Sequence, residues 1–108
     1  MANSIMASVA VEIVRFVDAS FPGTVEFVLH DALGAKWTFV DKVPVLSAEG
    51  LSEASGYPRP ATIKCEVVAD PSATAAGFVK IDTSRPWGIE TKDGISTFVV
   101  RPSQLVRG

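Results

Sequence analysis

Apolar and polar residues alternate with period two along most of the chain, and no segment sustains the spacing of an amphipathic helix. The first alternating run spans about Met6 to Asp18. Its apolar parity changes midway, with Val9, Val11 and Ile13 on one face and Val14 and Phe16 on the other, which predicts a bulge near Ile13-Val14. Phe21-Pro22-Gly23 reads as a turn. Two further runs, 24–30 and 35–40, flank Asp31-Ala32-Leu33-Gly34. A type I turn closed by Gly34 in the left-handed region predicts a bulged loop pairing Asp31 with Ala35. Counting outward sets Leu29 against Trp37 and Phe27 against Phe39, an apolar face. The mixed face pairs His30 with Lys36, Val28 with Thr38 and Glu26 with Val40. A one-residue slip would destroy this match.

Pro44 ends the third strand, and residues 46–60, rich in Ser, Gly, Pro and Glu, predict a long loop with one helical turn at Ser47–Leu51. Thr62 to Val68 alternates again, with Ile63, Cys65 and Val67 inward. Asp70 to Gly77 reads as a flexible connection and Phe78–Asp82 as a short strand. Asp93-Gly94 is a type I′ turn signal, pairing Lys92 with Ile95, Ile89 with Phe98, Glu90 with Thr97 and Gly88 with Val99. Trp87, Ile89, Phe98 and Val100 would then share a face. Pro102 ends that strand, and Ser103-Gln104-Leu105 adds a closing turn. The expected fold is all-β: a small antiparallel barrel or partly open barrel of about six strands, with a two-sheet sandwich as alternative.

Composition narrows this picture. A chain of 108 residues, 47% apolar, fits a single β domain over 6–108 after a flexible start at 1–5. Net charge is −2 with Lys and Arg scattered, so no basic face for nucleic acid is expected. Charges interrupt every apolar run, which argues against a membrane helix. The first residues lack a basic, then apolar, secretory pattern. One cysteine, Cys65, cannot form an internal disulfide, and a reduced, cytoplasmic setting follows as the expectation.

Candidate chemistry is sparse. The one histidine, His30, is placed outward beside a turn, the position of a solvated side chain. Cys65 alternates with Ile63 and Val67, which predicts a buried, inert thiol. No spacing of His, Cys or carboxylates marks a metal site, and no glycine-rich phosphate or dinucleotide loop occurs, so neither metal nor cofactor is expected. Asp18, Asp31, Asp70 and Asp93 stand where Asp serves local turns. Two segments stand apart: Tyr57-Pro58-Arg59-Pro60 and Arg85-Pro86-Trp87-Gly88. Aromatic and arginine side chains on stiff backbone suit a contact surface, because they order at little entropy cost. Tyr57, Arg59, Arg85 and Trp87 are therefore the candidate binding residues. The plainer reading makes Trp87 a plug at the barrel end and each Arg-Pro a strand boundary.

Several runs taken together carry a resemblance: Phe21-Pro22-Gly23-x-Val25-Glu26, 39–45, 57–60, Cys65-Glu66-Val67 and 85–90. They resemble a group of small bacterial proteins of unassigned function. That resemblance implies a free-standing bacterial domain and transfers no catalytic residue. Three readings of function remain open. The first is a protein–protein interaction module of accessory or immunity type. The second is a barrel binding a small ligand at a mouth lined by Trp37, Tyr57 or Trp87. The third is an enzyme assembled from carboxylates such as Glu26, Asp41, Glu66 and Glu90, which requires a raised carboxyl pKa in a cleft. A homodimer through an open sheet edge, or through Val28 and Val40 on the outer hairpin face, is compatible with each.

Overall fold

The computed structural model describes residues 5–46 and 51–106. Seven antiparallel strands form one curled sheet, a partly open barrel, in the order β3-β2-β1-β4-β5-β6, with β7 pairing back onto β1. The strands are β1 (Ile5–Asp18), β2 (Thr24–His30), β3 (Lys36–Lys42), β4 (Arg59–Val68), β5 (Val79–Asp82), β6 (Thr97–Val100) and β7 (Leu105–Val106). The expected flexible start lies outside the described residues except for Ile5, which pairs with Val67.

The long first strand is the spine. Its first part pairs with β4 from Ile5 to Ile13, and its second part pairs with β2 from Glu12 to Asp18. Register shifts between Ile13 and Arg15, where the parity of apolar residues changes, and again between Phe16 and Asp18. These bulges bend the strand so that Val9, Val11 and Ile13 face the same core as Phe16. The core itself is filled by Val9, Ile13, Val25, Phe27, Leu29, Phe39, Ile63, Ile81, Ile89 and Val100, all fully buried. Phe27 and Phe39 stack at 4.9 Å, and Phe98 meets both Trp37 and Phe39 edge-on.

The first hairpin has the register that its sequence predicts, residue for residue from Glu26–Val40 to His30–Lys36. Asp31 N–H donates to the Ala35 carbonyl at 2.9 Å, and Gly34 takes φ +87°. One face differs from expectation. Val28 is only 4% exposed, whereas Val40 is 37% exposed. Val28 lies beside the segment 102–106, which reaches both β1 and β2. There Gln104 Nε2 donates to the His30 carbonyl at 2.7 Å, and β7 pairs with Ser8 and Val9. The Ala32 N–H also donates to the Val99 carbonyl at 2.8 Å, tying the hairpin tip to β6.

The second half departs further. Asp93-Gly94 does not form a type I′ turn, because Gly94 takes a positive φ there and Asp93 does not. Instead Thr91 N–H donates to the Ile95 carbonyl and Ile95 N–H donates to Thr91 Oγ1, a loop one residue longer. The partner of Phe98 is Ile81, that of Thr97 is Asp82 and that of Val99 is Lys80, so the expected Ile89–Phe98, Glu90–Thr97 and Gly88–Val99 pairs do not form. Ile89 bonds Thr83 instead. Asp70–Gly77 is not a loose connection: Asp70 caps a short helix, α1 (Pro71–Ala75), by accepting the Ser72 and Ala73 N–H groups. β4 begins at Arg59 rather than Thr62, shortening the loop expected over 46–60. Pro60 is tolerated there because β5 reaches only Glu66–Val68, leaving this part of β4 an edge. Of the helical turn expected at Ser47–Leu51, all but Leu51 lies outside the described residues, and a 3-10 turn stands at Glu53–Ser55.

Candidate functional site

The four candidate binding residues fall into two separate settings. Tyr57 and Arg59 both serve the turn at Glu53–Ser55. Tyr57 Oη donates to the Ser52 carbonyl at 2.7 Å, and Arg59 Nη1 donates to the Ser55 carbonyl at 3.1 Å. Ser52 and Ser55 complete the turn by exchanging side-chain and backbone hydrogen bonds. The Tyr57 ring packs on the core, so both side chains brace the loop from beneath. Their polar ends are engaged by backbone carbonyls.

Trp87 is placed differently. It rides on the segment Thr83–Ile89, whose ends are clamped together. The buried Thr83 hydroxyl donates to the Ile89 carbonyl at 2.7 Å, Ile89 N–H returns a bond to the Thr83 carbonyl, and Gly88 N–H donates to the Ser84 carbonyl. Trp87 leaves the face expected for Ile89, Phe98 and Val100 because this clamp turns the chain outward, and half of its surface (51%) stays exposed. The indole lines a groove of about 210 Å³ with Ser8, Thr62 and Lys64 of β1 and β4, and with Pro44, Val45 and Leu46 beyond the end of β3. Apolar residues thus share the lining with Ser8, Thr62 and Lys64. Arg85, two residues away, is exposed and helps hold the Asp82 carboxyl low.

The sequence pattern pointed to Trp87 and missed its groove partners. Ser8, Thr62 and Lys64 look like ordinary outward positions of alternating strands, and only the fold brings Pro44–Leu46 to them. Two other open grooves accompany it. One of about 250 Å³ runs along Ala10–Glu12, Val28, His30 and Gln104. The other, about 370 Å³, is lined by Phe16, Ala19, Leu51, Ser52 and Ala54.

The titratable groups act locally. Asp31 accepts the Leu33 and Ala35 N–H groups and the Trp37 indole N–H, each at 2.9 Å. Burial works to raise its pKa, but the Trp37 bond and the backbone donors outweigh it and hold the carboxyl low. Asp82 repeats this balance, burial being offset by Ser84, Ser96 and the Arg85 charge. Backbone N–H groups of Ala73 and Ser20 lower Asp70 and Asp18. Cys65 is fully buried, and burial pushes its thiol up to about 11. Among the described residues, no three His, Cys, Asp or Glu side chains gather as a metal site, and no helix is long and apolar enough to cross a membrane. A scan against protein-family models found no match, and searches of curated proteins and of solved structures found no significant match.

Proposed function

We propose that this chain is a protein–protein interaction module whose partner seats one side chain in the Trp87 groove. The observation that carries this reading is a half-exposed indole on a clamped loop, sharing one groove with Pro44–Leu46, Ser8, Thr62 and Lys64. Large aromatic side chains held rigid beside a small pocket are the usual anchors of protein interfaces. The groove holds about 210 Å³, below the roughly 300–1,000 Å³ of typical small-molecule sites and suited to a single side chain. Lys64 gives that side chain's neighbourhood a preference for an acidic residue. The core is filled by buried side chains, which leaves a small ligand only the open grooves. The carboxylate reading calls for a raised carboxyl, and the four displaced ones, Asp18, Asp31, Asp70 and Asp82, all move down. Tyr57 and Arg59 support the module by bracing its loop, and Arg85 is a rim contact.

The test starts from affinity capture in native cells, followed by purification of the captured protein and titration against the isolated chain. Trp87→Ala is expected to weaken that binding at least tenfold, about 1.4 kcal/mol, with the melting temperature little changed. Equal binding by wild type and Trp87→Ala would remove the groove from the interface.

A further inference from the structure

We infer that the free edge of β3 is a docking site for an extended acidic peptide segment, which joins the sheet as an added strand. This surface shares no lining residue with the Trp87 groove and does not rest on that reading. β3 ends the strand order, and its described backbone bonds run only to β2. Asp31 and Ala35 are a hydrogen-bonded pair, so bonded pairs recur at Leu29–Trp37, Phe27–Phe39 and Val25–Asp41. The residues between them, Lys36, Thr38, Val40 and Lys42, therefore direct N–H and C=O away from β2. The Lys42 N–H shows this orientation: it is capped at 2.8 Å by the carboxylate of its own neighbour, Asp41. Three consecutive outward positions, Lys36 to Val40, are left to pair with another chain, which is strand-addition geometry.

Charge selects the occupant. The side chains at the outward positions read Lys, Thr, Val, Lys, with both lysines exposed, on a chain whose net charge is −2. A second copy could use the whole edge only in the twofold register about Phe39, which sets Lys36 against the other copy's Lys42 twice. Like charges directly opposite destabilise a strand pair. An added strand with acids six residues apart instead meets both lysines, with β-branched residues opposite Thr38 and Val40.

The test uses two seven-residue peptides, Glu-Thr-Val-Thr-Thr-Thr-Glu and the same sequence with Lys at both ends, titrated into the 15N-labelled protein. The acidic peptide is expected to bind at least tenfold more tightly, moving the Lys36, Thr38 and Val40 amides. Val40→Pro removes one outward N–H and no β2–β3 bond, and should abolish this binding. The double variant Lys36→Glu, Lys42→Glu should invert the peptide preference, while Lys92→Glu, on the Thr91–Ile95 loop, leaves it unchanged. Equal or absent binding of the two peptides, or amide shifts confined elsewhere, would overturn the inference. So would a dimer in sedimentation whose protected amides lie on β3. If Val40→Pro does not fold, the charge inversion decides alone.

Discussion

Asp31 shows how much one residue can hold at a strand end. One carboxylate oxygen closes the hairpin loop through two backbone N–H groups, and the other orients Trp37, whose ring meets Phe98. These bonds favour the charged form, so the folded-state pKa lies below the ordinary 3.8. A lowered carboxyl stabilises the fold above its unfolded pKa and loses that contribution as pH falls through the folded value. Asp18, Asp70 and Asp82 move the same way, so stability should be flat near neutrality and fall below about pH 4. Asp31→Asn should cost about 1 kcal/mol at pH 7, the ionic bonds being partly screened by solvent. Its acid loss should be shallower than that of wild type. Urea titrations between pH 7 and pH 2 measure both.

At the scale of elements, the Thr83–Ile89 clamp is the feature most open to a single change. Thr83→Val keeps the shape but leaves the buried Ile89 carbonyl without its donor, at a cost of about 1–3 kcal/mol. Hydrogen exchange at Gly88 and Ile89 should accelerate more than exchange in β2. That loop also marks the limit of what the sequence made legible. The first hairpin was readable because turn chemistry and cross-strand apolar pairs agreed at Leu29–Trp37 and Phe27–Phe39. The second hairpin departs from the Asp-Gly expectation although the sequence carries its signal. Thr91-Lys92-Asp93-Gly94-Ile95 repeats the spacing of Asp31-Ala32-Leu33-Gly34-Ala35. In both, the first N–H bonds the fifth carbonyl, and the fifth N–H bonds the first side chain. The residue that sets this loop is Thr91, two places before the Asp-Gly pair. Trp87 was identified from residue chemistry, whereas its groove depends on Pro44–Leu46 arriving beside Ser8, Thr62 and Lys64, a tertiary fact with no local signature.

Across the whole molecule, Cys65 offers a probe of opening. Its sulfur is fully buried on β4 and its pKa stands near 11, so almost no thiolate is exposed at pH 8. Iodoacetamide labelling of the native protein should be at least a hundredfold slower than in 6 M urea, and should track global unfolding. Labelling at the unfolded rate without denaturant would show that β4 detaches independently. The bent spine β1 has a further consequence. It is made before its partners β4 and β7, which follow some fifty and nearly a hundred residues later. The β2–β3 hairpin can form early from local contacts, while the rest of β1 waits with Val9 and Val11 uncovered. Closing such distant loops makes folding slow for the chain's length. During synthesis β1 is therefore a sticky strand beside a finished hairpin, covered only when β7 arrives to pair with Ser8 and Val9.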